Sequence, residues 1–146
     1  MKRRTNGRMR GVGMNDLFLR VKGIVKKDDK YLVIKRWVDD RIPDPFVWEF
    51  FDGEVAHGEA PDIAVRRVIR DTIGVEGAIE KIVYTWSQMI GDTQCVGLAY
   101  LCSIESDDAA FVLPEEFGGW EWISREQFEE YIENRYVLGD LEGVVL

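Results

Sequence analysis

Residues 53–75, GEVAHGEAPDIAVRRVIRDTIGV, carry the strongest structural signal in this 146-residue chain. The second half predicts an α-helix, Pro61–Ile73, because proline suits the first helical turn, where its missing N–H breaks no hydrogen bond. Gly74 follows at the position where helices commonly end in a left-handed residue. The stretch therefore predicts a glycine-containing loop that leads into a helix.

The predicted helix has an apolar side and a basic side. At about 100° per residue, aliphatic side chains and one threonine form a continuous stripe: Ala64, Val65, Val68, Ile69 and Thr72. Arginines cover the opposite side: Arg66, Arg67 and Arg70. Asp71 lies at the edge of the stripe. We expect the stripe to pack into the core.

Strand patterns precede this helix. Residues 18–36 contain two β-branched and aromatic runs separated by KKDDK, which predicts a hairpin. Residues 38–45 contain two prolines among aspartates and predict an exposed loop. Residues 46–50, FVWEF, return to a strand pattern, and Asp52-Gly53 predicts a turn after it.

Strand patterns also follow the helix. Residues 79–89 and 93–104 predict two strands joined at a glycine, and residues 120–123 predict a short one. Ser124 begins a second predicted helix, with Gln127 completing a capping box. Because strands precede, separate and follow the helices without regular βαβ alternation, we expect a single-domain α+β sandwich with a mixed sheet.

Composition limits the class of protein. With 46% hydrophobic residues, a chain of this length forms a sizeable core. No stretch approaches the roughly 20 apolar residues of a membrane span, and no secretory signal is evident. We therefore expect a soluble cytoplasmic protein with no membrane partner. The composition fits a homodimer as well as a monomer.

Charge divides the chain into two segments. Residues 1–15 contain five basic residues and no acidic one, although the whole chain has a net charge of −8. We expect residues 1–15 to be a basic, mobile tail and residues 16–146 to form the domain. An acidic domain repels a nucleic-acid backbone, which argues against DNA or RNA polymers as the main partner.

Cys95 and Cys102 lie seven positions apart in one predicted strand. Side chains alternate across a sheet, so the two thiols should face opposite sides. We therefore expect no disulfide between them, and the chain has no cysteine and histidine cluster with zinc spacing.

Residues 53–75 resemble the signature of the Nudix hydrolases, G-x5-E-x7-R-E-U-x-E-E-x-G-U, where U is a bulky aliphatic residue. Six positions match at the required spacing: Gly53, Glu59, Arg67, Ile69, Gly74 and Val75. The preceding WEFFDG is similar to the family's approach to this signature, with Asp52 where a glycine is common. The resemblance implies the family's α/β/α sandwich.

The resemblance also implies a reaction: hydrolysis of a diphosphate bond in a nucleoside diphosphate linked to another group, with Mg²⁺ or Mn²⁺ as cofactor. In the family, glutamates on one helix face hold the metal, since carboxylates spaced i, i+3 and i+4 lie together. The carbonyl of the Gly53 position is a further ligand, and the Glu59 and Arg67 positions brace the loop. The expected partner is a small-molecule nucleotide or diphosphate.

The chain departs from the signature at the three metal positions, which read Val68, Asp71 and Thr72. One carboxylate remains where the family has three. Loss of metal ligands costs large factors in rate, which predicts weakened hydrolysis and a weakly held metal on Gly53 and Asp71. Asp52 is a second carboxylate nearby, although an aspartate before a glycine is more typical of a turn.

Glu115 and Glu116, in a late loop, are candidates for the general base, because some Nudix proteins take their base from such a loop. A charged loop before a strand is the alternative interpretation. His57 lies in the loop of the signature and is either an acid or base near neutral pH or an exposed histidine with no role in the reaction. Three tryptophans offer either nucleobase stacking or core packing: Trp37, Trp48 and Trp86.

Two other functions stay open. The first is a catalytically inactive Nudix-fold module that binds a nucleotide or diphosphate, with Arg66, Arg67 and Arg70 contacting the phosphates in place of a metal. The second is a structural or interaction domain with no ligand. The sequence does not name the substrate, because specificity in this fold comes from loops and strand faces outside the signature.

Overall fold

The computed structural model describes residues 16–146, and the predicted basic tail at residues 1–15 lies outside the described residues. The strands of this part are β1 (Leu17–Lys27), β2 (Lys30–Trp37), β3 (Phe46–Glu49), β4 (Phe51–Glu54), β5 (Gly77–Ile90), β6 (Thr93–Ile104) and β7 (Phe117–Ile123). Its α-helices are α1 (Pro61–Ile73), α2 (Phe128–Tyr131) and α3 (Arg135–Leu141). None of the described helices has the length and apolar character needed to cross a membrane.

The strands form one mixed sheet in the order β3-β2-β1-β6-β5, with β4 also on β1 and β7 also on β2. β1 runs parallel to β6, from the pair Leu17–Gln94 to the pair Val25–Cys102, and antiparallel to β4. Its pairing with β2 lies at the hairpin end, and β2 continues the sheet through antiparallel β3 and β7. The expected mixed sheet is confirmed.

Helices cover both faces of the sheet. Val25 of β1 belongs to a buried cluster that includes Val65 of α1. The neighbouring Ile24 belongs to a second cluster with Phe128 of α2 and Leu141 of α3. Because consecutive residues of a strand face opposite sides, α1 lies on one face and the two later helices lie on the other. The α+β sandwich with helices on both faces is confirmed.

Helix α1 begins and ends where the sequence predicts. Gly74 closes it with a φ of 77° and donates its N–H to the carbonyl of Arg70 at 2.8 Å. The predicted stripe is buried: Ala64, Val65, Val68, Ile69 and Thr72. The helix approaches β4 so closely that an added Cβ at Gly53 would lie 2.6 Å from Val68 Cγ2. Gly53 is therefore a packing residue for α1.

Two local predictions before α1 are wrong. Asp52-Gly53 is not a turn, because both residues lie in β4 and pair with β1. The strand predicted at residues 46–50 ends at Glu49, because the chain changes partners there: β3 pairs with β2, whereas β4 pairs with β1. The glycine that suggested a turn serves the close approach of α1 instead.

The second predicted helix begins after Ser124, as expected. Gln127 Oε1 accepts from the Ser124 N–H at 2.9 Å, as a capping box requires. A 3₁₀ turn follows, and α2 ends at Tyr131. The sequence analysis did not predict α3, whose start is capped by Asn134. Seven residues with an internal glycine give a weak helical pattern.

Cys95 and Cys102 are both buried and free, as predicted. Cys102 belongs to the cluster that includes α1. Burial raises the pKa of the Cys102 thiol to about 12, so this thiol stays protonated and unreactive at neutral pH.

Replacing Gly53 by alanine tests the contact between α1 and β4. The added methyl group clashes with Val68, and overpacking of a core lowers the free energy of unfolding by about 1–3 kcal/mol. Denaturant unfolding measures the loss. Gly139→Ala is the matched control, because nothing lies within 4 Å of an added Cβ there. A Gly53→Ala protein as stable as the parent would show that α1 does not lie this close to β4.

Candidate functional site

Two of the three metal positions are buried in the packing of α1. Val68 is 7% exposed, and its side chain fills the space beside Gly53. Thr72 is also 7% exposed, and its Oγ1 donates a hydrogen bond to the carbonyl of Val68 at 2.7 Å. Neither side chain offers the carboxylate oxygen that a hard divalent cation prefers. Val68 and Thr72 are therefore packing residues of the hydrophobic core.

The third metal position, Asp71, faces solvent. Its side chain is 62% exposed, and the nearest cation that pairs with it is Arg67, whose Nη1 lies 3.9 Å from Asp71 Oδ2. An exposed carboxylate at this distance from an arginine is a weak surface pair. The structure therefore does not bring Asp71 together with a second acidic ligand.

The donor set on α1 does not fit Mg²⁺ or Mn²⁺. Within residues 16–146, no three histidine, cysteine, aspartate or glutamate side chains are grouped as a metal site would require. Asp52, the carboxylate next to Gly53, is already bound to Arg20 and Lys22. The residues at the family's metal positions thus supply one exposed carboxylate and no enclosed cluster.

The loop of the signature is braced as the resemblance implies. Arg67 donates to both carboxylate oxygens of Glu59, at 2.8 and 2.9 Å, and to the carbonyl of Glu54 at 2.8 Å. The N–H of Ala56 donates to Glu59 at 3.0 Å. The hydrogen bonds from Arg67, followed by that from Ala56, lower the pKa of Glu59 to about 2. This ion pair fixes the loop on α1, and it commits Arg67 to a structural contact.

The other residues predicted for the site lie apart from one another. Arg70 is exposed and pairs with Glu76 at 3.8 Å, and Arg66 has a buried Nε without a hydrogen-bond partner among the described residues. Glu115 and Glu116 are exposed in the loop before β7, and His57 is exposed in the signature loop. The structure does not bring these five side chains into one pocket.

A cleft lies instead beside β1, β2, β3 and β4, each of which contributes lining residues. Two adjoining hollows of about 330 and 260 Å³ share Arg36, Glu49, Phe50 and Asp52, and we call them together the β4 cleft. Its other lining residues are Arg20, Lys22, Ile34, Val47, Trp48, Phe51, Thr72, Phe117, Ile132, Glu133, Asn134 and Val137. A third hollow of about 250 Å³ adjoins the cleft at Asp52.

Cations and carboxylates alternate along the wall of the β4 cleft. Asp52 accepts from Arg20 Nε and Nη2 at 3.1 and 2.8 Å and from Lys22 Nζ at 3.2 Å. Glu49 accepts from Arg36 Nε and Nη2 at 2.6 and 3.3 Å. Three cations thus face these two carboxylates, and Glu133 adds a third carboxylate to the lining, so positive and negative charges are equal in number around the cleft.

These contacts perturb both arginines. Burial disfavours the charged guanidinium of Arg20, but the charge and hydrogen bonds of Asp52 outweigh it and raise the pKa of Arg20. Hydrogen bonding to Glu49 is the main cause that raises the pKa of Arg36. Both side chains therefore remain positive charges in the lining of the cleft.

Of the three tryptophans considered for base stacking, Trp48 lines the β4 cleft and packs edge-on against Tyr131, with ring centroids 5.3 Å apart. Trp86 lies in the third hollow, with Lys22 Nζ 5.1 Å from its ring centroid. Trp37 is exposed beyond the cleft, at 41%. Trp48 is therefore the tryptophan that lines the β4 cleft itself, whereas Trp86 contacts Lys22 from the adjoining hollow.

The sequence analysis missed the four charged residues that dominate this cleft together with Asp52: Arg20, Lys22, Arg36 and Glu49. One signal was available for two of them. Arg20 and Lys22 alternate with Val21 and Gly23, so both cations lie on one face of β1. Two cations on one strand face predict a charged partner or an anion there.

The brace between Glu59 and Arg67 predicts a specific dependence of stability on pH. The pKa of Glu59 falls from an ordinary 4.5 to about 2 on folding, so the carboxylate stabilises the fold above pH 4.5. That contribution is lost as the pH falls from 4.5 through about 2. The stability difference between the parent and Glu59→Gln should therefore be constant near neutral pH and shrink in this acidic range. Denaturant unfolding at a series of pH values measures it.

Glu76→Gln is the matched control for this experiment, because Glu76 is 75% exposed and makes only a 3.8 Å pair with Arg70. Its effect on stability should be small at every pH. A difference between parent and Glu59→Gln that persists unchanged down to pH 2 would contradict the brace.

Comparison with known proteins identifies the family. The model of the NUDIX domain matches residues 18–141. An RNA pyrophosphohydrolase of Saccharophagus degradans is 28% identical over 120 residues, covering 70% of this chain and 69% of that protein. The nucleoside triphosphatase NudI of Escherichia fergusonii is 27% identical over 117 residues, covering 74% of this chain and 82% of that protein.

Solved structures show the same fold at low identity. The E. coli ORF135 protein superposes with a TM-score of 0.73 at 20% identity, covering 90% of this chain and 91% of that one. The MutT protein of Methanosarcina mazei superposes with a TM-score of 0.72 at 15% identity, covering 88% and 92%. With its signature loop and helix, its mixed sheet and a family model that spans most of its length, the chain belongs to the Nudix hydrolase family.

Proposed function

We propose that this chain binds a nucleoside diphosphate-linked ligand in the β4 cleft and balances the phosphate charge with its own side chains. The observation that carries this proposal is the state of the three metal positions. Val68 and Thr72 are packed into the core, and Asp71 faces solvent. Positive charge comes instead from the cleft cations: Arg20, Lys22 and Arg36.

The chemistry of the cleft supports a phosphate ligand. Arginine presents a planar fork of N–H donors that matches phosphate oxygens, and lysine adds a point charge. Trp48 lies in the same cleft and offers an aromatic face to a nucleobase. The relatives named RNA pyrophosphohydrolase and nucleoside triphosphatase act, by those names, on phosphate chains attached to nucleosides. We transfer that ligand class to this chain as part of the proposal.

Magnitudes favour binding over fast hydrolysis. Charge stabilisation by a metal at the phosphoryl group supplies several kcal/mol, and each ~1.4 kcal/mol is a factor of about ten in rate. Helix α1 supplies only the exposed carboxylate of Asp71 as a metal ligand, so most of that stabilisation is lost. A site with fixed arginines still binds phosphate, because binding needs only complementary charge and hydrogen bonds.

Slow hydrolysis of the same diphosphate bond is the second candidate function. Glu49 and Asp52 line the cleft, so carboxylates lie within reach of a bound phosphate. Asp71 as a residual metal ligand, with Glu115 or Glu116 as general base, remains the arrangement proposed for this reaction. In the ligand-free chain Glu49 and Asp52 are both hydrogen-bonded to cations, so their oxygens are already engaged.

The binding proposal predicts an interaction that needs no metal. Calorimetry in EDTA with nucleoside diphosphates, nucleotide sugars and dinucleotides should reveal a ligand. Arg36→Ala should lower the affinity for that ligand at least about tenfold, because a charge-assisted hydrogen bond to phosphate contributes about 1.5–3 kcal/mol.

The control for this experiment is Arg70→Ala, which removes an exposed arginine of α1 that does not line the cleft. Its affinity should equal that of the parent. If Arg70→Ala weakens binding and Arg36→Ala does not, the phosphate site lies on the arginine side of α1, as the sequence analysis considered. If no compound binds in EDTA, the proposal fails.

The metal positions predict the outcome of a gain-of-function experiment. The parent should show at most slow product formation with millimolar Mg²⁺ or Mn²⁺ on the same panel of compounds. Restoring carboxylates with Val68→Glu and Thr72→Glu should raise the rate by at least about tenfold for the compound that binds. Product release, measured by chromatography, is the readout.

The single variant Asp71→Asn separates the two candidate functions. It should abolish any turnover of the parent and leave the calorimetric affinity in EDTA unchanged, because Asp71 does not line the cleft. Fast turnover by the parent, at rates that Asp71→Asn does not alter, would show that the chain catalyses hydrolysis with groups other than those of α1.

A further inference from the structure

We propose that Asp52 is a built-in counter-ion that occupies the place of a ligand phosphate and is displaced when a diphosphate binds. This inference rests on the proposed function of the β4 cleft and adds a competitor to it. In this account the ligand-free chain holds its own anion between two cations. An incoming diphosphate exchanges with that anion.

The geometry of Asp52 is that of a bound anion. Its Oδ1 accepts from Arg20 Nε and Nη2 at 3.1 and 2.8 Å, and its Oδ2 accepts from Lys22 Nζ at 3.2 Å. Both carboxylate oxygens are used, and the guanidinium contributes two donors. Phosphate oxygens are bound by the same combination of an arginine fork and a lysine. The carboxylate therefore occupies the contacts that a phosphate would make.

The cations need this carboxylate while the ligand is absent. The side chain of Lys22 is only 7% exposed, and a buried ammonium without an opposite charge is strongly destabilising. The ring of Trp86 lies 5.1 Å from Lys22 Nζ and provides a weaker, partial stabilisation. Asp52 is the carboxylate that contacts both Lys22 and Arg20, and it holds the two cations in place without a ligand.

Asp52 also lies where the three hollows adjoin. It lines both hollows of the β4 cleft and the third hollow beside them. The family commonly has a glycine at this position, so the carboxylate fills space that a glycine would leave open. Its side chain is 27% exposed, which leaves it a path to rotate toward solvent when a ligand takes its place.

The chain should therefore bind a diphosphate less tightly than Arg20 and Lys22 would in the absence of Asp52. A diphosphate must break the hydrogen bonds of Asp52 before it can use Arg20 and Lys22, and the displaced carboxylate still repels it. Removing the charge of Asp52 should therefore strengthen binding. If Asp52 instead holds the cations in position for the ligand, removing its charge should weaken binding.

The test is calorimetry of inorganic pyrophosphate in EDTA with the parent and with Asp52→Asn. We expect Asp52→Asn to bind at least about tenfold more tightly, because a competing charge-assisted contact is gone. Glu54→Gln is the matched control: Glu54 lies 3.9 Å from Arg20, is 62% exposed and lines none of the three hollows. Its affinity should change less than about twofold.

A second pair of variants covers the case in which Asp52→Asn leaves Lys22 unpaired and does not fold. Lys22→Met removes the buried ammonium, and the double variant Lys22→Met/Asp52→Asn then has no unpaired buried charge. The double variant should bind pyrophosphate more tightly than Lys22→Met alone, since Arg20 is freed from its carboxylate. Thermal unfolding confirms that both proteins are folded.

The outcomes separate this inference from the proposed function. If the parent binds pyrophosphate and Asp52→Asn binds equally or more weakly, the counter-ion role is wrong and the proposed function stands. If neither the parent nor either Asp52 variant binds pyrophosphate or any nucleoside diphosphate, the proposed function fails, and the inference fails with it. If Asp52→Asn binds pyrophosphate more tightly than the parent, and the double variant binds it more tightly than Lys22→Met, both the proposed function and the counter-ion role are supported.

Discussion

The close contact between Val68 of α1 and Gly53 of β4 is the constraint on which the rest of the structure depends. A side chain at Gly53 would collide with Val68, so the glycine permits the helix to lie directly on the strand. The contact buries the apolar stripe of α1 against the sheet and fixes the signature loop, which Glu59 and Arg67 then brace. The same contact places an aliphatic side chain where the family has a carboxylate.

The charged residues near α1 lie on the opposite face of β4 from the helix, where the proposed function places the phosphate contacts. Asp52 and Gly53 are neighbours in β4, so they face opposite sides of the sheet. Gly53 therefore packs against α1 on one face, and Asp52 places its charge on the other. Arg20 and Lys22 reach Asp52 because β1 pairs antiparallel with β4. In the proposed function, the positive charge for phosphate therefore comes from the sheet.

The sequence predicts well the elements that depend on local patterns. The bounds of α1, its buried stripe and the capping box at Ser124 follow from residues within one or two helical turns of each other. The fold class and the separation of Cys95 from Cys102 follow from strand alternation. The predicted turn at Asp52-Gly53 is wrong. The glycine is needed because Val68 of α1, many residues later in the chain, packs directly against it.

The candidate site could be predicted only in part, because its charges meet through strand pairing. Arg20 lies 32 positions from Asp52, and only the register of β1 on β4 brings them together. The sequence indicated the deficit at Val68 and Thr72, which depends on spacing alone. It did not indicate the cleft, which needs the positions of β1, β2, β3 and β4 at once.

The most direct test of the central claim is a titration of Mn²⁺ into the protein without nucleotide, followed by electron paramagnetic resonance. The account predicts that the signal of free Mn²⁺ is the same with the parent, with Asp71→Asn and with buffer, because α1 presents no cluster of carboxylates. Stoichiometric loss of the free signal with the parent, reversed by Asp71→Asn, would show that the helix holds a metal after all.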